Sequence, residues 1–204
     1  MVPWPSRLAR FRVMPMAGSA VLAATAIAAC GHVTITVNGG PVAPKSVIFG
    51  PAKVGTDGTI TGTYFRAKLP PGWVNGAAFF ARDPNVEVAI KKGPTTATGP
   101  GIVVTLTQAP PDLPFAAYAD ISFHHAIADK TAGKVHLITG LKSASVAGQQ
   151  AQDFTTSNSG NTDWTIYVLY NGVVYEFELV APSDQFATAR AGPFHAFLAS
   201  WQWG

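Results

Sequence analysis

The chain has 204 residues, of which 48% are hydrophobic and only 12% are charged, enough for one domain with a buried core and too little for two. Three of the 14 basic residues, Arg7, Arg10 and Arg12, lie before Cys30 in a stretch with no acidic residue, and the other 11 face 11 acidic residues. The net charge of +3 therefore belongs to the amino-terminal segment and predicts no nucleic-acid partner. The single cysteine excludes an internal disulfide.

Residues 1–29 have the three parts of a secretory signal peptide. A basic start is followed by an uncharged apolar run, Val13–Ala29, which ends in two small residues before Cys30. The two nearest arginines are not adjacent, so the general secretory route is favoured over the twin-arginine route.

The segment Ile27-Ala28-Ala29-Cys30-Gly31 resembles the lipobox of bacterial lipoproteins. The resemblance implies that the Cys30 sulfur receives a diacylglyceryl group and that cleavage makes Cys30 the first residue. Two or three acyl chains anchor a protein stably, whereas one is marginal. We therefore expect a signal peptide at 1–29, lipidation at Cys30 and a tether at 30–55.

The alternative is an uncleaved transmembrane anchor in which Cys30 has no role. The apolar run is slightly shorter than the ~20 residues that a helix needs to cross a bilayer. It also contains Pro15 and is richer in alanine than in leucine, so the signal peptide is the favoured interpretation.

The tether at 30–55 is rich in glycine and proline, as flexible linkers are. Within it, HVTITVNG alternates apolar and polar residues and could add a short strand. The folded domain is expected over residues 56–204.

Several segments predict β-strands early in this domain. In GTYFRAKLPPGW, Phe65, Ala67 and Leu69 alternate with polar residues, and Pro70-Pro71-Gly72 ends the strand. Further strands are predicted from β-branched and apolar content at 79–82, 86–91 and 101–108.

A long helix is predicted next. Asp112 can cap it, Pro114 is tolerated in its first turn, and Gly133 is a natural stop. One face carries apolar residues at helical spacing: Ala116, Ala119, Phe123, Ala126 and Ile127. Strands are predicted after it at 134–139 and 149–156.

The segment DWTIYVLYNGVVYEFELVAP predicts a β-hairpin, because Asn171-Gly172 suits a two-residue type I′ turn. Its first strand has apolar residues on both faces, namely Trp164, Ile166 and Val168 on one and Tyr167 and Leu169 on the other. Such a strand is covered on both sides, so we expect helices on both faces of the sheet.

A second helical region is predicted at the end of the chain, after Ser183-Asp184. It groups four large apolar residues on one side: Phe194, Phe197, Leu198 and Trp201. Gly192-Pro193 is expected to break the region into a short turn and a final helix. The order of elements predicts an α+β fold with a mostly antiparallel sheet.

Four segments, YFRAKLPPGW, the mid-chain helix, VYEFELVAP and FHAFLASWQW, occur in the order found in the PsbP-like family. The domain resembles the form of this family found in actinobacterial lipoproteins, which opens with a strand ending in Pro-Gly-Trp, here Pro71, Gly72 and Trp73. The family closes with a helix ending in an aromatic pair, here Trp201 and Trp203. The resemblance implies a three-layer α/β/α sandwich and an envelope location. It implies no catalytic residues, because the family shares none.

The histidines offer no complete metal site. His124 and His125 are adjacent on the predicted helix and point about 100° apart, and no carboxylate or cysteine stands at ligand spacing to complete a site. His136 and His195 are isolated. We expect surface or half-buried roles and predict no metal and no cofactor.

Glu176 and Glu178 share one face of the predicted hairpin strand. Paired carboxylates can perform acid–base hydrolysis at about 5–10 Å separation, but the favoured interpretation is a solvated face at a sheet edge. The chain has no Gly-x-Ser-x-Gly, Walker or dinucleotide-binding motif. No residue is therefore predicted to be catalytic.

The five Trp, five Tyr and 12 Phe residues suffice for a hydrophobic core, which is favoured over an apolar pocket. The sequence predicts a non-catalytic binding or assembly domain, lipid-anchored on the extracytoplasmic face of a cell membrane, with an envelope protein as partner. The alternatives are a carrier or sensor of an apolar ligand such as a lipid and, ranked last, a cell-wall hydrolase.

Overall fold

The structure is a computed structural model that describes residues 50–76, 85–93, 99–109 and 114–204. All of these residues fall in the second of two units into which the chain divides, Ser46–Gly204.

Several sequence predictions lie outside the described residues. They are the signal peptide at 1–29, the lipidated Cys30, the possible strand in HVTITVNG, the strand at 79–82 and the Asp112 cap. They stay predictions.

A small four-stranded sheet joins the two ends of the domain. Its strands are β1 (Lys53–Val54), β2 (Thr59–Thr61), β3 (Phe65–Lys68) and β11 (Gln202–Trp203), in that order across the sheet. The predicted alternation in β3 is confirmed, since Phe65 and Ala67 are buried and the residues between and after them are exposed. β1 lies within the segment 30–55 that was expected to act as a tether.

A larger sheet of seven antiparallel strands forms the centre of the domain. Its strands in chain order are β4 (Trp73–Asn75), β5 (Val86–Lys92), β6 (Gly101–Gln108), β7 (His136–Val146), β8 (Gln149–Asn158), β9 (Asn161–Tyr170) and β10 (Val173–Pro182). Across the sheet the order is β4-β5-β6-β10-β9-β8-β7. β10 is therefore a central strand that pairs with β6 and β9.

The strands β7 to β10 form three consecutive hairpins with two-residue turns. The predicted Asn171-Gly172 turn is confirmed: both residues have positive φ, 49° and 72°, as a type I′ turn requires. In the other two turns, Ala147-Gly148 and Ser159-Gly160, both residues likewise have positive φ. In each turn the second residue is glycine, which adopts this conformation without a steric penalty.

The helices are α1 (Phe115–Thr131), α2 (Ser183–Ala189) and α3 (His195–Ser200), with a π-helical turn, Arg190–Phe194, between α2 and α3. α1 ends before Gly133, whose φ of 70° confirms the predicted stop. In the part of the chain that the structure describes, no helix combines the length and apolar character needed to cross a bilayer.

The buried face of α1 differs from the prediction at one position. Ala119 and Ala126 are buried and Phe123 and Ile127 are half-buried, but Ala116 is exposed. Tyr118 instead packs against the cluster of buried residues between α1 and the large sheet, which includes Phe154 and Tyr167. The face is thus rotated toward the tyrosine, because an aromatic side chain covers more of the sheet than an alanine.

The end of the chain differs from the predicted final helix in two ways. Gly192-Pro193 does not break the helical region, since a π-helical turn carries the chain through it; the wider turn gives room for a proline that would clash inside an α-helix. The helix also stops at Ser200, where Trp201 has an extended backbone. Trp203 consequently lies in β11, which pairs with Phe65 of β3.

Both faces of the large sheet are covered, as the pattern of β9 predicted. Ile166 and Val168 of β9 belong to the main core with Phe194, Phe197 and Trp201. Tyr167, on the other face of β9, belongs to a second core with residues of α1 and with Phe154. The predicted α+β fold, a three-layer α/β/α sandwich with an antiparallel sheet, is confirmed.

Candidate functional site

Glu176 and Glu178 lie on a central strand, not on a sheet edge as the sequence suggested. Glu176 stands opposite Tyr167 and Glu178 opposite Thr165 on β9, the face on which α1 packs. Both carboxylates are half-buried. Their Cα atoms are about 7 Å apart, given the rise of a strand per residue.

Tyr167 fixes the position of the first carboxylate. Its hydroxyl donates a hydrogen bond of 2.9 Å to Glu176 Oε1. Burial, and the Glu176 carboxylate beside it, hold the pKa of Tyr167 well above its ordinary value of 10.0. The phenol therefore remains protonated and acts as a permanent donor to Glu176.

Tyr118 of α1 packs beside the Tyr167–Glu176 pair. Its ring centroid lies 6.0 Å from that of Tyr167, edge to face, and burial raises the pKa of Tyr118. Glu176 and Glu178 both interact with further groups of the chain. The two carboxylates are thus engaged by other groups of the chain on the sheet face that α1 covers. This arrangement favours a structural role over hydrolysis.

Glu87 is a buried acid that the sequence analysis missed. It is 3% exposed and lies where the register between β5 and β6 shifts. The backbone N–H of Thr63 donates to Glu87 Oε1 at 2.9 Å, while Oε2 has no partner among the described residues. The sequence feature that could have revealed a buried acid is the single glutamate within the otherwise apolar run VEVAI.

Glu87→Gln is expected to flatten the pH dependence of stability. Burial raises the pKa of Glu87 above its ordinary value of 4.5, although hydrogen bonds from Thr63 oppose the shift. The folded state therefore favours the protonated form of Glu87. The stability gained from this protonation is fully present below the unfolded-state pKa. This effect is lost as pH rises through the folded-state pKa.

The measurement is the urea midpoint of the wild type and of Glu87→Gln at a series of pH values from about 4.5 upward. The wild-type midpoint should fall with pH relative to that of Glu87→Gln. Asp184→Asn, which removes an exposed carboxylate, is the control and should run parallel to the wild type. Parallel curves for Glu87→Gln as well would contradict the prediction.

The histidines are on the surface, as expected. His124 and His125 are exposed on α1, and His124 Nδ1 lies 2.8 Å from the Asp120 carbonyl oxygen. His136 and His195 are also exposed. Within the described residues, no group of three or more His, Cys, Asp or Glu side chains is placed to hold a metal ion.

The described aromatic residues mainly form the core, as the favoured interpretation held. Trp201 stacks on Phe65 with a centroid separation of 3.9 Å and meets Phe177 edge to face at 4.7 Å. At the surface end of this cluster, Trp203 stacks on Tyr170 at 4.6 Å. These contacts join the small sheet to the large one.

Comparison with known proteins identifies the fold but no close relative. No known protein-family profile matches the chain, and no curated protein matches it. The solved structure of cyanobacterial PsbP (CyanoP) from Synechocystis sp. PCC 6803 is similar with a TM-score of 0.50 and 17% identity, covering 83% of this chain and 99% of that chain. LpqN of Mycobacterium tuberculosis, described as involved in cell envelope biogenesis, is similar with a TM-score of 0.51 and 16% identity, covering 68% of this chain and 82% of that chain.

These similarities show that the domain has a PsbP-like fold. The fold hosts the aromatic core, the carboxylate pair beneath α1 and the buried Glu87 described above. At these levels of identity the likeness concerns architecture, and the function has to be argued from the chain itself.

Proposed function

We propose that the protein is an envelope lipoprotein of an actinobacterium, anchored through Cys30 to the extracytoplasmic face of the cell membrane. Its PsbP-like domain is a non-catalytic binding or assembly module whose partner is another envelope component. Residues 1–29 are the signal peptide that directs export, and the residues after Cys30 link the lipid to the domain.

The observation that carries this proposal is the fold shared with LpqN, a protein of cell envelope biogenesis. The lipobox-like segment Ile27–Gly31 supports an envelope location independently. The engagement of Glu176 by Tyr167 supports a binding role over a hydrolytic one, because one oxygen of the best carboxylate candidate is already occupied.

The test is fractionation of cells that express the full chain. The protein should sediment with membranes, be released by detergent and be digested when protease is added to intact spheroplasts. A cytoplasmic protein of the same cells is the control and should resist digestion. Recovery of the chain in the cytosolic fraction, or protection from protease in spheroplasts, would overturn the location.

Crosslinking in intact cells, followed by mass spectrometry of both proteins and lipids, tests the binding role. A crosslinked envelope protein would support an assembly module. Crosslinking to lipid alone would favour the carrier alternative instead.

A further inference from the structure

Arg190, in the π-helical turn, stacks on the indole of Trp164. Its Cζ atom lies 4.0 Å from the ring centroid. Trp164 is only 6% exposed, and its Nε1 donates to Asp153 Oδ2 at 2.6 Å. Since the indole is fixed by burial and by this hydrogen bond, stacking holds the guanidinium in one place.

The π-helical turn brings His195 to the same indole. The backbone N–H of His195 donates to the carbonyl of Arg190, five residues earlier. In an α-helix, residues five apart point about 140° apart, but a turn closed from i to i+5 returns them to nearly the same side. The His195 ring accordingly lies 5.7 Å from the Trp164 ring.

The hydrogen-bonding groups of both side chains are left unengaged by the described part of the protein. Arg190 and His195 form no ion pair and no side-chain hydrogen bond there. Asp153 is engaged by the indole N–H, and Asp184 of α2 forms no ion pair with Arg190. The guanidinium is thus held in position with its donors available.

We propose that Arg190, His195 and Trp164 form a binding site for a phosphate monoester. The planar guanidinium donates in parallel to two oxygens of one anion. A carboxylate held in this way offers the imidazole only an oxygen that the guanidinium already engages, whereas a phosphate monoester has three terminal oxygens and a charge of about −1.5 to −2. A monoester with two oxygens on Arg190 therefore keeps a third oxygen for His195.

The site deepens the binding role proposed above, because a domain at a membrane surface meets phosphate monoesters both as lipid headgroups and in solution. The envelope location and the phosphate site can be disproved independently of each other. Fractionation tests where the chain is, and the titrations below test what Arg190 binds in detergent, where no membrane location is needed.

The experiment is calorimetric titration of the full chain in detergent micelles with inorganic phosphate and with glycerol phosphate. Acetate at equal ionic strength is the carboxylate comparison. Saturable binding of both phosphates, with weaker binding of acetate, is expected. No saturable binding of either phosphate, or equal binding of acetate, would overturn the proposal.

Variants locate the site. Arg190→Gln keeps much of the side-chain stem but removes the charge, and it should weaken phosphate binding roughly tenfold or more. Arg190→Lys keeps the charge without the fork and should bind with intermediate affinity. His195→Gln should show a smaller loss. Arg66→Gln removes another exposed arginine and should bind like the wild type.

Binding that survives Arg190→Gln, or that falls equally in Arg66→Gln, would overturn the proposal. Thermal melting of each variant shows whether it is folded. If Arg190→Gln does not fold, the Arg190→Lys variant still tests the role of the guanidinium.

Measurements on the full chain in nanodiscs distinguish a lipid phosphate from a soluble one. A change in the His195 ring signals with phosphatidate, but not with phosphatidylglycerol, would indicate a lipid monoester. A change with glycerol phosphate alone would indicate a soluble one.

Discussion

Removal of residues 193–204 is expected to unfold the domain. The deletion takes away three aromatic side chains of the main core, Phe194, Phe197 and Trp201, each no more than 2% exposed. It also removes β11 from the small sheet. Truncating one large aromatic residue in a core costs about 3–5 kcal/mol, while a whole domain is stable by only about 5–15 kcal/mol.

Urea denaturation followed by circular dichroism checks this expectation. The chain ending at Gly192 should show no cooperative transition, or one at a much lower urea concentration. Wild-type denaturation of that chain would mean that the terminal helices do not cover this face of the sheet.

A single substitution tests the same packing at one position. Trp201→Ala should destabilise the domain by about 3–5 kcal/mol, because the indole stacks on Phe65 and contacts Phe177 and Phe197. Gln202→Ala changes the exposed neighbour and should cost far less. Equal urea midpoints for the two variants would contradict this account of the core.

Cys30→Ser is expected to abolish lipid attachment completely. Cys30 is the only thiol in the chain, so no other sulfur can accept the diacylglyceryl group. Without two or three acyl chains the mature protein loses the hydrophobic contribution of about 0.8 kcal/mol per buried CH₂ that holds it to the bilayer.

Metabolic labelling with an alkynyl fatty acid measures the effect directly. The wild type should carry the label and Cys30→Ser should not, while Ser19→Ala, a change of similar size within the apolar run, should be labelled normally. Label that persists in Cys30→Ser would defeat the prediction, because the fatty acid would then be attached elsewhere.

Local patterns in the sequence predicted much of the large sheet. Asn171-Gly172 predicted its hairpin because a two-residue turn with two positive φ values has a narrow residue preference. Ala147-Gly148 and Ser159-Gly160 form turns of the same kind. They were not predicted, because alanine and serine are not among the residues typical of the first turn position. The apolar residues on both faces of β9 correctly predicted helices on both sides.

Features that depend on contacts between distant residues were not predicted. β1 and β11 have two residues each, too few for a periodic pattern, and they form strands because they pair with β2 and β3. The π-helical turn depends on how Pro193 is accommodated, which gives no periodic signal. As a result, the Arg190–Trp164–His195 cluster could not be found from spacing alone.

The last strand has a consequence for the timing of folding. β11 pairs with β3, which lies some 135 residues earlier, and the backbone N–H of Gly204 donates to the Tyr64 carbonyl at 2.9 Å. A chain that emerges from its amino terminus, from a ribosome or a translocation channel, exposes β3 long before its partner appears. β11 can join the small sheet, and Trp201 can stack on Phe65, only after residues 201–204 have emerged, so the domain stays incompletely folded until then.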